Sequence, residues 1–96
     1  MVIYHGVFKV KPGKRGEYIE ELRRANLEDL FRRQHGNLFY SLAASITDED
    51  VIVACDAWAE KADFDAHVSS KECEAWFALH DKYVEEDLRG DTYEFA

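Results

Sequence analysis

The chain has 96 residues, of which 20 are acidic, 12 are basic and 47% are apolar. This length predicts one domain spanning residues 1–96, and a chain this short buries only roughly 60 to 65% of the surface that its unfolded form exposes. The formal net charge of −8 would repel a phosphate backbone and excludes nucleic acid as an expected partner. With no apolar run of about 20 residues and no secretory signal pattern, we expect a cytoplasmic protein without a membrane partner.

The first third of the chain predicts a strand followed by a helix. Residues 2–10 alternate with apolar side chains on both faces, which is typical of a central strand. Lys11-Pro12-Gly13 is a turn signal, and apolar residues then recur at helical spacing over residues 16–33. Opposite charges four residues apart predict a solvated outer face for this helix. They are Glu20 with Arg24, Glu28 with Arg32, and Asp29 with Arg33.

The remaining chain predicts a hairpin, two helices and a last strand. Residues 38–46 and 51–58 are β-rich segments on either side of an acidic turn, and a short helix is expected over residues 61–68. Ser69 and Glu72 have the spacing of a capping box, so Ser69 is expected to begin a second helix that ends near residues 88–90. The final six residues predict a strand.

This order of elements defines the predicted fold class. It is α+β, a ferredoxin-like split βαβ arrangement with one four-stranded antiparallel sheet and its helices on one face. The other face of the sheet would then expose apolar side chains, which usually marks an interface. A homodimer that buries sheet against sheet is the simplest solution.

Three segments are informative when taken together: VKPGK at 10–14, HGNLFYSL at 35–42 and CDAWAEKADFDAHVSSKECEAW at 55–76. Together they resemble the antibiotic biosynthesis monooxygenase family, whose members are dimeric α+β barrels. The family pattern in the last segment places an acidic residue and a tryptophan at the end of the third strand, then a histidine on the short helix; here these are Asp56, Trp58 and His67. The resemblance implies cofactor-independent oxygenases of quinols and phenols, haem-degrading enzymes, isomerases of small signals, or proteins without established activity.

The haem-degrading branch is disfavoured by its own pattern. That branch carries an asparagine on the first strand, a tryptophan on the short helix and a histidine on the next helix. This sequence has His5-Gly6, His67 and Phe77 in the corresponding regions. Neither His-x-His, His-Glu-x-x-His nor Cys-x-x-Cys spacing is present, so we expect no metal site, and we predict no cofactor.

His67 is the residue we assign as catalytic. The resemblance places it at the mouth of a pocket between sheet and helices, and an imidazole with a pKa near 6.5 can accept a proton at neutral pH. The alternative is a half-exposed histidine that bonds a backbone carbonyl. Asn37 and Tyr40 are candidates for binding a substrate oxygen, although Asn37 next to a glycine also suits a turn and Tyr40 also suits a core.

Two further side chains are candidates for substrate binding. Trp58 offers a flat wall for an aromatic substrate, with core packing as the alternative. His80 lies on an apolar helical stripe and is either a ligand contact or a core histidine with one partner. For His5, the sequence leaves open whether it faces the helices or the opposite side of the sheet. The two cysteines, Cys55 and Cys73, are expected to be reduced thiols.

These observations predict a homodimeric, monooxygenase-like protein that acts without metal, haem or flavin on an aromatic small molecule, a quinol or phenol. Two alternatives stay open: an isomerase of a small oxygenated metabolite, and a dimeric ligand-binding or stress-response protein without chemistry.

Overall fold

The structure is a computed structural model that describes residues 1–96. Its elements in chain order are β1 (Val2–Val10), α1 (Arg15–Arg24), α2 (Leu27–Arg32), β2 (Asn37–Ala44), β3 (Val51–Trp58), α3 (Lys61–Val68), α4 (Lys71–Tyr83) and β4 (Val84–Glu94). The strands form one antiparallel sheet in the order β2-β3-β1-β4. The α+β, ferredoxin-like fold is therefore confirmed.

The core lies between the helices and one face of the sheet. Alternation along β1 brings Val2, Phe8 and Val10 to this face, where they are at most 3% exposed. Strand β3 contributes Ile52 and Trp58 to the same layer, at positions opposite Phe8 and Val2. The side chains buried most completely are large, and half of them are aromatic: Trp58, Tyr18, Phe31, Leu27, Ile52 and Val10.

The predicted single helix over residues 16–33 is wrong in one respect, because two helices occupy that segment. Helix α1 ends at Arg24, and Asn26 has a left-handed backbone with φ of 56°. Asparagine tolerates this conformation better than most residues, so the chain turns here without a glycine. The charge pairs survive because none of them spans the break, as in Arg33 with Asp29 at 2.6 Å and Arg32 with Glu28 at 3.1 Å.

The predicted bounds of the last helix are also wrong. Helix α4 begins one residue later than expected, with Ser70 as its N-cap accepting a hydrogen bond from the Cys73 amide. It ends at Tyr83, and the segment from Val84 is already strand β4, paired with β1 over almost its whole length. Pairing along a central strand therefore overrides the local helix preference of residues 85–89.

The sheet face opposite the helices has no cover within the chain. Register places Phe39, Ala57, Ile3 and Tyr93 in one row across its four strands. The Phe39 and Tyr93 side chains are 49% and 43% exposed. His5 also lies on this face, paired with Cys55 on one side and Asp91 on the other. None of the helices has the length and apolar character that crossing a bilayer requires.

Candidate active site

Helix α3 carries His67 and is fixed at both ends. At its start, Glu60 and Asp63 form a reciprocal capping box, and Asp63 also bonds His35 Nδ1 at 2.7 Å. Gly36 makes room for this arrangement, because a Cβ atom there would lie 2.1 Å from Asp63 Oδ2. At its end, Ser70 Oγ donates to the His67 carbonyl at 2.6 Å. The last turn of α3 is thereby tied to the start of α4.

A cavity of about 150 Å³ lies between the sheet and helices α3 and α4. Its wall is mostly aromatic, and it contains one carboxylate, one imidazole and one thiol. The lining residues are Tyr4, Tyr40, Ala54, Asp56, Phe64, His67, Val68, Cys73, Trp76 and Phe77.

His67 is 7% exposed and held by rings on two sides. Its imidazole stacks on Trp58 with ring centres 4.5 Å apart and meets the edge of Phe31 at 4.7 Å. Nδ1 lies 2.7 Å from Gln34 Oε1, and Nε2 lies 4.0 Å from Cys73 Sγ. Burial lowers the pKa of His67 to about 4, so the imidazole is neutral at pH 7.

Asp56 is the second titratable group in the cavity and is 2% exposed. On β3 it pairs with Tyr4 of β1 and Tyr40 of β2, so the three side chains are neighbours on the helix-covered face of the sheet. The Trp58 indole Nε1–H donates to Asp56 Oδ2 at 2.6 Å. Burial raises the pKa of Asp56 to about 6, and the Trp58 hydrogen bond opposes that rise.

The remaining polar groups of the cavity are proton donors at neutral pH. Burial, with Asp56 as the next cause, raises the pKa of the Tyr40 phenol, and the same causes raise the pKa of Tyr4. Burial also raises the pKa of Cys73 to about 11, so its thiol keeps the proton. The Tyr4 hydroxyl occupies the space above Gly6 of β1, because a Cβ on Gly6 would lie 2.8 Å from it.

A second cavity of about 440 Å³ adjoins the first and shares Tyr4, Trp76 and Phe77 with it. His80 lines this outer cavity, with Nε2 2.8 Å from Asp87 Oδ1. The His80 ring also stands edge-on to Phe8, with centres 4.9 Å apart. Together the two cavities form one groove along α4. The smaller one, which contains Asp56 and His67, is called the inner cavity below, and the larger one is called the outer cavity.

A further groove of about 460 Å³ lies at the edge of the sheet beside β2. Three of its four charged groups, Glu28, Asp29 and Arg32, are already engaged with neighbouring side chains or with the strand. Glu28 pairs with Arg32 and accepts a hydrogen bond from the Leu42 amide at 2.9 Å. Arg32 Nε donates a hydrogen bond to the Tyr40 carbonyl at 3.0 Å. These side chains close the free edge of β2, so this groove is a weaker candidate for chemistry.

The structure brings some of the predicted site residues together and separates others. His67 and Tyr40 line the inner cavity, and His80 lines the outer one. Trp58 is fully buried behind His67 and supports it instead of forming the cavity wall. Asn37 lines neither cavity; its amide donates to the carbonyls of Phe39 at 3.1 Å and Ala57 at 3.5 Å.

Three polar residues of the inner cavity had no role assigned from sequence: Tyr4, Asp56 and Cys73. Asp56 had a usable signal, because an acidic residue two positions before Trp58 in an alternating strand must face the same side as that tryptophan. No group of three or more potential metal-ligating side chains occurs in the chain.

The fold and the site define a class of protein: a ferredoxin-like domain with an aromatic-lined, titratable cavity between sheet and helices. The family model of the antibiotic biosynthesis monooxygenases matches residues 1–79. The chain belongs to this family, which supports a monooxygenase-like function. Proteins of the family bind small molecules and usually dimerise. None of the curated proteins matches the chain.

Solved structures with the same fold extend over nearly the whole chain. A Nitrosomonas europaea protein, provisionally named an antibiotic biosynthesis monooxygenase, is 21% identical with a TM-score of 0.86, covering 99% of this chain and 98% of its own. SO0527 from Shewanella oneidensis is 25% identical with a TM-score of 0.85, covering 96% and 87%. PA3566 from Pseudomonas aeruginosa is 19% identical with a TM-score of 0.83, covering 99% and 94%.

Proposed function

We propose that the protein is a cofactor-independent monooxygenase that oxidises a phenol or quinol ring held in the inner cavity. The observation that carries the proposal is that a neutral imidazole and a buried carboxylate, His67 and Asp56, line one aromatic-walled cavity. Perturbed titratable groups that converge in a cavity are typical of acid–base catalysis.

In this proposal His67 accepts the proton of the substrate hydroxyl. Its lowered pKa of about 4 means that the free base is the form present at neutral pH. The imidazolium that forms would be costly in a buried site by itself. The Glu72 carboxylate, which raises the pKa of His67 against the larger effect of burial, supplies the opposite charge that offsets part of this cost. The phenols of Tyr40 and Tyr4 donate hydrogen bonds to the substrate oxygen as negative charge develops on it.

The dimensions of the groove favour a particular kind of substrate. A cavity of about 150 Å³ accepts one benzene-sized ring, and the inner cavity has this volume. The adjoining 440 Å³ cavity leaves room for the rest of a larger molecule, with Trp76 and Phe77 along both parts. We therefore expect an extended aromatic substrate with its hydroxylated ring innermost and its remainder near His80.

The reaction balances with molecular oxygen as the only co-reactant. Deprotonation gives an electron-rich phenolate that is itself able to reduce oxygen. One oxygen atom then enters the ring carbon, which loses its hydrogen, and the other leaves as water with that hydrogen and the hydroxyl proton. A phenol thereby becomes a quinone, and a quinol becomes a hydroxyquinone. The substrate supplies all the electrons, and the protein supplies the base, the donors and a dry cavity.

We also propose that the open face of the sheet is the interface of a homodimer. The row of Phe39, Ala57, Ile3 and Tyr93 supports this, because such an apolar strip is unusual on the surface of a monomer. Val53→Lys, at the middle of this face, should convert the dimer to a monomer in light-scattering mass measurements. The control Ile46→Lys changes a fully exposed apolar residue and should leave the mass unchanged. A monomeric wild type would contradict the proposal.

Oxygen uptake with a panel of quinols and phenols tests the proposed chemistry. His67→Gln should reduce turnover on every active substrate by about 100-fold or more, as expected for loss of a general base. The matched control His35→Gln alters an imidazole that is 94% exposed and should keep wild-type rates. Equal rates for His67→Gln and wild type would refute the assignment of the base. Turnover of a substrate under anaerobic conditions would indicate an isomerase instead.

A further inference from the structure

We propose that Gln34 is a positioning residue that fixes the tautomer of His67, with the proton on Nδ1 and the lone pair of Nε2 toward Cys73 and the cavity. This inference rests on the proposed function for its catalytic meaning, but the tautomer itself can be measured without substrate. Gln34 lies just after α2 and outside the cavity lining, and it contacts His67 from behind.

Hydrogen-bond accounting determines how the Gln34 amide is oriented. Gln34 Nε2 lies 3.0 Å from Ser70 Oγ and 3.4 Å from Glu72 Oε2. The single hydroxyl proton of Ser70 is already donated to the His67 carbonyl at 2.6 Å. Ser70 Oγ can therefore only accept from the amide, and the Glu72 carboxylate can also only accept. The amide nitrogen must face these two oxygens, so its oxygen must face His67.

The orientation of the amide then determines where the imidazole carries its proton. Gln34 Oε1 is an acceptor 2.7 Å from His67 Nδ1, so Nδ1 must be the donor. A neutral imidazole has one N–H, which leaves Nε2 unprotonated. Nε2 lies 4.0 Å from the Cys73 thiol, a weak donor that an incoming hydroxyl can replace.

Four titratable groups lie around His67. Glu72 raises the pKa of His67, opposing the larger effect of burial, and Asp56, Tyr40 and Cys73 line the same cavity. Ser70 Oγ also accepts a hydrogen bond from the Cys73 amide, as the N-cap of α4. The orientation of Gln34 is thus tied to the junction between α3 and α4, so the tautomer is set by the fold itself.

Nitrogen-15 NMR of the histidine side chains tests the inference in the free protein. Wild-type His67 should show a protonated Nδ1 and an unprotonated Nε2 at pH 7. Gln34→Met removes the acceptor with little change in volume, and the Nε2–H tautomer should become populated. Gln34→Glu keeps an acceptor at this position and should retain the Nδ1–H tautomer with a raised pKa. The control Arg33→Met, at the adjacent exposed position, should leave the spectrum unchanged.

A wild-type spectrum with Nε2 protonated would overturn the inference, as would an unchanged tautomer in Gln34→Met. If Gln34→Met does not fold, the wild-type and Gln34→Glu spectra still decide the question. On an active substrate, Gln34→Met should lower kcat on the order of 10-fold with little change in KM, because less of the enzyme presents a free Nε2. The NMR result stands whether or not the protein consumes oxygen, so failure of the inference and failure of the proposed function are distinguishable.

Discussion

Replacing Asp56 by asparagine should stabilise the protein at neutral pH. Burial raises the pKa of Asp56 to about 6, above its usual value of 3.8. Between these two values Asp56 holds more of its proton in the native state than in the unfolded state, so its contribution to stability falls as the pH rises through this window. The 2% exposure of the side chain means that the ionised form is poorly hydrated above pH 6. Asparagine has the same shape, is uncharged, and can still accept the Trp58 N–H through its amide oxygen.

The size of the effect follows from the two pKa values. Each pKa unit corresponds to about 1.4 kcal/mol, so the ionised carboxylate lowers the free energy of unfolding on the order of 3 kcal/mol at pH 7.5 and about 0.5 kcal/mol at pH 4.0. Urea unfolding of wild type and Asp56→Asn at both pH values measures the difference, with Asp81→Asn as the exposed control. A variant that is equally stable or less stable than wild type at pH 7.5 would refute the reasoning.

Three further predictions concern the same cavity and its supports. His67→Gln should change the slope of stability against pH. A native pKa of about 4, below the ordinary 6.5, makes the contribution of His67 fall as the pH drops through that window, opposite to the contribution of Asp56, so the variant should gain stability relative to wild type as the pH drops from 6.5 to 4; urea unfolding at several pH values measures the slope, and equal slopes would contradict this. Gly36→Ala should destabilise by about 1 to 3 kcal/mol, since φ is +78° and the new Cβ would meet Asp63. Gly6→Ala should lower the thermal midpoint because its Cβ would lie 2.6 Å from Phe8 Cζ, whereas the control Gly16→Ala has open space and should not.

The first three strands could be predicted from the sequence because alternation repeats over eight or nine residues in each. The helix ends could not. Asn26 breaks a segment with continuous helical periodicity, and only its left-handed backbone reveals the break. At the other end, residues 85–89 have helical composition but extend β4, because β1 offers them a full set of backbone partners. Local patterns do not contain either of these tertiary effects.

The site was predictable to the extent that strand alternation and family resemblance determine it. His67 could be found from the resemblance. Its burial could not be predicted, because the stacking on Trp58 and the edge-on contact with Phe31 depend on how α3 packs against the rest of the chain. Gln34 lies 33 residues from His67 in sequence. No spacing rule connects the two, and only the packing of the α2–β2 junction beside α3 does so.

Burial in the inner cavity disfavours both the imidazolium form of His67 and the carboxylate form of Asp56, and this influences which ligands bind. In the free protein at pH 7, His67 is neutral and Asp56 is a buried anion, so the cavity holds one negative charge without a cation beside it. A ligand that carries an O–H can donate a hydrogen bond to Nε2 or to the carboxylate, and a proton passed to His67 creates the missing cation. A ligand of equal size that only accepts hydrogen bonds can do neither. The cavity therefore favours ligands that donate protons, and a phenol or quinol substrate carries one more O–H than its quinone or hydroxyquinone product.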